Sequence, residues 1–184
     1  IYCDGKKSID RRSARTLLDI IYNYLVRWLA PSLSFTAEEA WKSRGNESSI
    51  HLEDFLKTPE SYRNKNINEN WLILKQIRKV ITGALEKKRA EKIIGSSLEA
   101  HIDIFLAKDV LEKVKHYPMD EISITSSFSI NESSDKVEGF ALEDIPNVKI
   151  VVSKIDGKKC QRCWKYKKEL IRGEICNRCE DAIS

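Results

Sequence analysis

Glycine and proline are scarce in this chain, with seven and four residues among 184. Low-complexity and collagen-like chains contain far more of both, so these classes are excluded. No apolar run approaches the roughly 20 residues that span a bilayer, which predicts a soluble protein without a membrane partner. With 41% apolar residues, the chain can still bury a hydrophobic core.

The common catalytic motifs are also missing. The sequence has no G-x-x-x-x-G-K-[ST] loop, no G-x-G-x-x-G fingerprint and no G-x-S-x-G turn. Its three histidines, His51, His101 and His116, are scattered without metal-ligand spacing, and we expect them at the surface or at an interface. No catalytic residue is predicted. The chain starts at Ile1 and shows no signal-peptide pattern, so we interpret it as a piece of a longer protein.

Basic charge is concentrated in two segments. The net charge is +4, and residues 154–184 hold nine Lys or Arg against five Asp or Glu, whereas residues 1–153 hold 23 of each. Residues 75–92 carry seven basic and two acidic side chains, and residues 93–153 carry five and eleven. This segregation indicates a directional electrostatic surface, although ordinary solvated faces would give the same pattern.

Four of the five cysteines form the pattern C-x2-C-x12-C-x2-C near the C-terminus. Two such pairs provide four thiolates for one tetrahedral ion, so Cys160, Cys163, Cys176 and Cys179 are predicted ligands of one Zn²⁺. A closed four-sulfur site is structural, and it would supply most of the folding free energy of so small a segment. Two disulfides or a redox-active pair are alternatives, disfavoured because nothing marks the chain as secreted and two copies in a basic tail do not make a redox site.

The first helix is predicted over residues 9–29. Apolar side chains fall on one arc at 100° per residue, and basic and polar side chains fall on the opposite arc. Ser8 or Asp10 is the expected N-cap, and Pro31 lies just beyond the end.

Two further helices are predicted before residue 94. One begins near residue 34, where Thr36 and Glu39 have capping-box spacing and Trp41 follows on the buried side. The other covers roughly residues 69–90 and has the clearest helical period of the chain. Residues 1–94 are therefore predicted to form a helical bundle.

The hydrophobic period changes after residue 94. The predicted elements are strands at 101–106, at 121–125 with an extension at 128–130, and at 148–152, a short helix at 109–116, and a polar hairpin or loop at 131–139. The chain is thus predicted to be mainly α, with a helical bundle (1–94), a small α+β subdomain (95–153) and a C-terminal zinc knuckle with four cysteine ligands (154–184).

Aromatic and basic side chains alternate beside the first Cys-x-x-Cys pair, in Trp164, Lys165 and Tyr166. Arg162 and Arg178 occupy equivalent places inside the two pairs. Such residues suit single-stranded nucleic acid, because rings stack on unpaired bases and cations meet phosphates. Packing against the protein explains Trp164 equally well and explains Tyr166 better, and the two arginines have the alternative of hydrogen bonds across the knuckle.

A basic arc on the third predicted helix is a second candidate RNA surface. Its members are Lys75, Arg78, Lys79 and Arg89, with Lys87, Lys88 and Lys92 nearby. Such an arc can follow a phosphate backbone, but a charged solvent face is the default for any surface helix.

Several strings together resemble one family, the C-terminal part of bacterial-type isoleucyl-tRNA synthetases, which are class I aminoacyl-tRNA synthetases. The strings are R-R-S-A at 11–14, L-A-P-x-L-x-F-x-x-E-x-x-W at 29–41, the segment 88–100, and C-x-R-C-W-x-Y…C-x-R-C in the zinc segment. The second string is shared with valyl and leucyl relatives, in which proline is usual at the position of Ser34. The zinc segment is more discriminating, and the resemblance covers essentially the whole chain.

The resemblance implies a helical anticodon-binding domain, an α+β junction and a zinc module that together hold the anticodon stem-loop of isoleucine tRNA. The whole synthetase is a cytoplasmic ligase of protein biosynthesis that joins isoleucine to tRNA with ATP and Mg²⁺. Its catalytic signatures and editing domain would lie upstream of Ile1. We therefore expect this piece to bind tRNA and the rest of the synthetase chain, and to be inactive alone.

Two other functions stay open at this stage. One is a zinc-stapled DNA-binding module of a formamidopyrimidine-glycosylase-like protein, whose related finger lacks the C-W-x-Y string. The other is a purely structural interaction domain. A tRNA-binding protein would prefer tRNA to duplex DNA, with a steep salt dependence, whereas a glycosylase-like module would not. A chain that binds no nucleic acid at low salt would instead be a structural interaction domain.

Overall fold

A computed structural model describes residues 1–133 and 137–183 of the chain. Two compact units are present, Ile1–Arg63 together with the chain end from Asp181, and Asn64–Glu180. None of the helices in these described ranges is long and apolar enough to cross a membrane. Part of the loop predicted at 131–139, residues 134–136, lies outside the described residues.

The first unit consists of two helices and two short 3-10 turns. The helices are α1 (Ile9–Leu29) and α2 (Ser34–Ser43), and the turns are Ile50–Leu52 and Glu60–Tyr62. Ser8 caps α1, because its hydroxyl accepts a hydrogen bond from the Arg11 backbone N–H at 3.3 Å. The predicted bounds of this helix are confirmed.

A small core joins α1 to α2. Its buried members are Val26, Ala30, Ala37, Trp41 and Ile50. The indole N–H of Trp41 donates to the Ser48 carbonyl at 3.0 Å, which ties the end of α2 to the following loop. The apolar arc predicted for α1 lies largely outside this core, and Leu17, Leu25 and Trp28 are about half exposed.

The capping box predicted at Thr36 and Glu39 is wrong. The helix begins two residues earlier, at Ser34, and its N-cap Leu33 has no side-chain capping bond. The start follows directly from the turn after α1, in which the Leu33 N–H donates to the Leu29 carbonyl at 2.7 Å. A tight helix-to-helix turn therefore sets the position of α2 instead of a side-chain cap.

The second unit packs one long helix on a four-stranded sheet. Its elements are α3 (Lys65–Ala90), β1 (Ala100–Leu106), α4 (Lys108–Val114), α5 (Met119–Ser123), β2 (Ser127–Glu132), β3 (Phe140–Leu142), β4 (Ile145–Lys154), β5 (Lys158–Lys159), β6 (Tyr166–Lys167) and the part of α6 (Asn177–Ile183) up to Glu180. The sheet order is β2-β1-β4-β3, with β1 parallel to β2 and antiparallel to β4. The short strands β5 and β6 form a separate antiparallel pair.

The packing of α3 differs from the predicted bundle. Its apolar face, which includes Leu74, Ile77 and Ile81, shares one core with Ile102 of β1 and Ile150 of β4. The division by packing therefore falls near residue 63, and the predicted boundary at residue 94 separates α3 from the sheet that it covers. The helical period of α3 predicts that one face is buried, but it does not identify the partner.

The strand predicted at 121–125 is wrong. Residues Met119–Ser123 form α5, which follows Pro118 and ends where Ile124 adopts a left-handed backbone conformation. The Pro118 carbonyl accepts hydrogen bonds from the Glu121 and Ile122 N–H groups at 3.1 Å, which begins the helical turn. The alternation of apolar and polar residues here is too short to distinguish a strand from one helical turn.

The sheet face opposite α3 carries a polar network. His101 lies 2.8 Å from the Ser127 hydroxyl through Nδ1 and 3.2 Å from an Asp103 carboxylate oxygen through Nε2. Ser129 donates to the same carboxylate oxygen at 2.5 Å. His101 is thus a half-buried side chain on the sheet surface, in agreement with the expectation for the histidines.

Candidate metal centre and nucleic-acid surface

Two backbone turns present the four cysteines. Cys160 and Cys163 follow β5, and the turn between them is closed by the Trp164 N–H, which donates to the Cys160 carbonyl at 2.9 Å. Cys176 and Cys179 lie at the start of α6, where the Cys179 N–H donates to the Cys176 carbonyl at 2.8 Å. Each tight turn places its two thiols on the same side of the backbone.

The four sulfur atoms form one cluster. All of them lie within 4.8 Å of one another, and Cys163 Sγ is 3.7 Å from Cys176 Sγ. A tetrahedral zinc ion with Zn–S bonds of about 2.3 Å spaces its sulfurs about 3.8 Å apart. A disulfide instead requires an S–S distance of about 2.05 Å, and no disulfide joins these four cysteines. The cluster formed by the four cysteines of the C-x2-C-x12-C-x2-C pattern could therefore hold a metal ion.

The thiols of the cluster differ in proton affinity. Burial opposes ionisation of Cys160, but backbone N–H groups of Cys163, Cys176 and Arg162 outweigh it and lower its pKa to about 6. Burial raises the pKa of Cys163 to about 12. Burial also raises the pKa of Cys179, and the hydrogen bond from the Arg162 side chain opposes this rise. Without a metal ion, Cys160 therefore favours the thiolate close to neutral pH, whereas Cys163 keeps its proton.

The donor set indicates a structural site. Cys160, Cys176 and Cys179 are buried, and Cys163 is half-buried. Four sulfur ligands complete a tetrahedral coordination sphere, so a bound ion would fix the two turns without offering a position to a substrate.

Lys165 and Tyr166, which follow the first pair, contact the protein. The Lys165 ammonium lies 2.6 Å from the Asp120 carboxylate of α5. The Tyr166 backbone N–H donates to the Ser126 hydroxyl at 2.6 Å. These two contacts attach the cysteine-containing segment to the turn between α5 and β2, so both residues have a docking role in the structure.

Trp164 differs from its neighbours. Its side chain is 59% exposed, and its backbone adopts a φ of +65°, in the left-handed region. The Lys159 ammonium lies 5.3 Å from the centroid of the indole ring. The ring therefore projects into solvent beside a cation, which is an arrangement suited to stacking on an unpaired base.

The two arginines inside the Cys-x-x-Cys pairs have protein partners. The Arg162 side chain hydrogen-bonds to the Cys179 thiol, and Arg178 lies 3.6 Å from a carboxylate oxygen of Glu121 on α5. Arg162 is half-buried, whereas Arg178 remains exposed. Their first role in the structure is to hold the two turns.

The basic arc of α3 is exposed but partly neutralised. Lys79 pairs with Asp144 at 2.6 Å, and Arg89 pairs with Glu86. The Arg78 side chain donates to the Ile122 carbonyl of α5 at 3.0 Å. The remaining members are Lys75, which is exposed on the helix, and Lys92, which follows it with a left-handed backbone.

Helix α5 links the two predicted RNA-binding groups. Three consecutive residues of α5, Asp120, Glu121 and Ile122, contact Lys165, Arg178 and Arg78 respectively. Sequence reasoning missed this role because it predicted a strand here. The acidic pair Asp120–Glu121 after Pro118 was the available signal, since acidic residues favour the first turn of a helix.

Comparison with known proteins places these features in a family. The family described as "Anticodon-binding domain of tRNA ligase" matches residues 1–104 of the chain. This match covers more than half of the 184 residues.

Similar proteins cover the remaining residues as well. The isoleucine–tRNA ligase of Bartonella henselae is 41% identical over 172 residues, which is 92% of this chain and 18% of that protein. The isoleucine–tRNA ligase of Ruegeria pomeroyi is 40% identical over 100% of this chain and 19% of its own length. That of Brucella abortus is 40% identical over 90% of this chain and 17% of its own length. The chain thus spans about a fifth of the length of these relatives.

Proposed function

The chain belongs to the family of anticodon-binding domains of tRNA ligases, and from this premise we propose that it holds the anticodon stem-loop of a tRNA. The relatives of 40–41% identity are named isoleucine–tRNA ligases, which supports isoleucine-accepting tRNA as the ligand. The family match over residues 1–104 is the observation that carries the proposal.

The metal in this proposal is one structural Zn²⁺ bound by Cys160, Cys163, Cys176 and Cys179. The sulfur spacing and the closed donor set support it. The ion would hold the turn that presents Trp164, so that the ring is fixed before RNA arrives. A preorganised ring loses less conformational entropy on binding than a mobile one.

We assign the RNA contacts according to what each side chain touches in the protein. Trp164 stacks on an unpaired base, because its ring is exposed beside Lys159. Positive charge along the phosphate backbone comes from Lys75 and Lys92, on or just after α3. Two exposed members of the arc, Lys79 and Arg89, join them by exchanging Asp144 and Glu86 for phosphate. The other predicted residues bind protein groups and thereby hold the candidate RNA surface in place; they are Lys165, Tyr166, Arg162, Arg78 and Arg178.

The chemistry of the whole protein is also part of the proposal. In a protein of the relatives' length, residues outside this chain would join isoleucine to the tRNA with ATP and Mg²⁺ in the cytoplasm. This chain would supply binding of the tRNA and contacts to the rest of the synthetase, and it would be inactive alone. The DNA-glycosylase-like and purely structural alternatives are not favoured, because the family match and the relatives are tRNA ligases.

The test is binding of the zinc-loaded chain to isoleucine-accepting tRNA at low salt. A competitor with the same tRNA body and a changed anticodon measures how much of the affinity depends on the anticodon. We expect preference for the native anticodon and a steep loss of affinity with salt.

Each other outcome has a defined meaning. Equal affinity for both tRNAs would show a general RNA-holding module and would contradict anticodon reading. Tighter binding to duplex DNA than to tRNA would favour the glycosylase-like alternative. Absence of any binding at low salt would contradict the proposal and would leave the structural alternative.

A further inference from the structure

The first unit has a surface groove that the proposed RNA contacts do not include. Its volume is about 570 Å³, and it lies along α1 near the end of α2. The lining side chains are Arg12, Arg15, Thr16, Leu18, Asp19 and Arg44. Three guanidinium groups and one carboxylate thus line the same concavity, which leaves it positively charged.

Two of these arginines differ from most arginines of the chain. Most guanidinium groups have a protein partner, as in the pairs Arg27–Glu53, Arg44–Asp19, Arg63–Glu60, Arg89–Glu86 and Arg178–Glu121. The side chains of Arg12 and Arg15 have no hydrogen-bond or ion-pair partner within residues 1–133 and 137–183. Both are exposed. Their donors are therefore available to an external acceptor.

The geometry of α1 places the two groups together. Arg12 and Arg15 are three residues apart, so they lie on one helix face with about 5–6 Å between their Cβ atoms. Asp19 lies one turn further along the helix and binds Arg44 across the groove. The Arg44 guanidinium also lies 4.9 Å from the centroid of the Tyr22 ring. Arg44 thus lines one side of the groove, and its ion pair with Asp19 engages the carboxylate that would otherwise neutralise Arg12 and Arg15.

We propose that this groove is a second RNA contact, in which Arg12 and Arg15 bind phosphates of the RNA backbone. Guanidinium groups match phosphate oxygens through paired N–H donors, and side chains without protein partners need break no ion pair to bind. The site rests on the proposed function, because it adds a backbone contact to a tRNA-binding chain. It reads no base, so its contribution is independent of the anticodon sequence.

The test compares two charge-matched double variants of the full chain loaded with zinc. Arg12→Gln/Arg15→Gln removes the two guanidinium groups, and Lys57→Gln/Arg63→Gln removes the same charge elsewhere in the first unit. Affinity for isoleucine-accepting tRNA and for the tRNA with a changed anticodon is measured over a series of salt concentrations. Thermal unfolding and zinc content verify that both variants are folded.

We expect the Arg12→Gln/Arg15→Gln variant to bind both tRNAs about tenfold or more weakly at low salt. The slope of log affinity against log salt should fall by about 1–2, one phosphate contact for each side chain. The Lys57→Gln/Arg63→Gln control should keep the wild-type slope. An equal loss in both variants would indicate a general charge effect and would overturn the site.

Failure of the site and failure of the proposed function give different results. If the wild type binds tRNA and the Arg12→Gln/Arg15→Gln variant binds it with the same affinity and salt slope, the groove is not an RNA contact. The proposed tRNA binding of the chain would still stand. No tRNA binding by the wild type overturns both. Saturable binding of inorganic phosphate that requires the two arginines, with unchanged tRNA affinity, would assign the groove to a free anion and overturn the RNA contact.

Discussion

Lys165 Nζ lies 2.6 Å from Asp120 Oδ2, and the two side chains are only 14% and 21% exposed. The ion pair connects the turn after Cys163 to α5, at the point where Tyr166 also binds Ser126. The basic character of Lys165 in the sequence indicates a phosphate contact, whereas the structure gives its charge to a carboxylate. The pair therefore holds the candidate RNA surface in place.

Substitution of Lys165 by methionine should destabilise the protein. The Asp120 carboxylate would remain partly buried without its partner, which costs about 1–3 kcal/mol. Urea unfolding of the zinc-loaded protein measures this change. Lys168→Met, which removes an exposed charge from the same segment, should change stability by less than about 0.5 kcal/mol.

A double variant identifies the origin of the loss. Lys165→Met/Asp120→Leu removes both charges, so it should recover most of the stability lost in Lys165→Met. If Lys165→Met is as stable as the wild type but binds RNA much more weakly, Lys165 is a phosphate contact and the docking role is wrong.

Zinc uptake at pH 7 should release fewer than four protons. The Cys160 pKa of about 6 leaves that thiol largely ionised in the metal-free fold, whereas Cys163, with a pKa of about 12, must lose its proton to bind zinc. As pH falls through 6, Cys160 gains a proton, and the dependence of zinc affinity on pH should steepen by one proton. Calorimetry at pH 7 and pH 5, in buffers of different ionisation enthalpy, counts the protons. Release of four protons at both values would show that the metal-free segment does not keep this arrangement.

Elements that are determined by a few consecutive residues could be predicted from the sequence. The helical period of α1, its Ser8 cap and the alternation of β1 each reside in a few consecutive residues, and the structure contains the helix, the cap and the strand. The cysteine spacing likewise determines its own cluster, because each Cys-x-x-Cys turn is closed by backbone hydrogen bonds within the pair.

The remaining features depend on contacts between distant residues. The partner of the apolar face of α3 is a sheet whose strands begin ten or more residues later, and helical period carries no information about it. The pairs Lys165–Asp120 and Arg78–Ile122 each join residues more than 40 positions apart. A cation that is free to bind RNA and a cation that is neutralised by such a pair look the same in a sequence.

Gly157 should be sensitive to any side chain. A Cβ at this position would lie 2.7 Å from the Lys167 carbonyl oxygen, so it would meet the backbone of β6. Gly157→Ala should separate β5 from β6 and lower the stability of the zinc-loaded segment by about 1–3 kcal/mol. Competition with a metal chelator should show weaker zinc retention.

A second glycine provides the control for this clash. Gly173 has a φ of +76°, and apart from its own and its neighbours' atoms, no atom of the described residues lies within 4 Å of the position that a Cβ would take there. Gly173→Ala therefore tests backbone strain without a steric conflict. Equal zinc retention in Gly157→Ala and the wild type would contradict the predicted clash.

The backbone of Trp164 carries a conformational cost. A φ of +65° is normally adopted by glycine, and a residue with a Cβ loses about 1–2 kcal/mol there. The Trp164 side chain, 59% exposed, recovers little of this energy by packing. An exposed aromatic side chain in a strained turn is therefore expected to act outside the protein.

Trp164→Gly should separate stability from binding. Glycine relieves the left-handed strain, so the zinc-loaded variant should be as stable as the wild type or up to about 1 kcal/mol more stable. Loss of the ring should weaken RNA binding by about 1–3 kcal/mol without changing the salt slope, because no charge is removed. Trp164→Phe keeps a stacking ring and should restore part of the affinity. If Trp164→Gly instead lowers stability and keeps full RNA affinity, the indole has a packing role and the base contact must lie elsewhere.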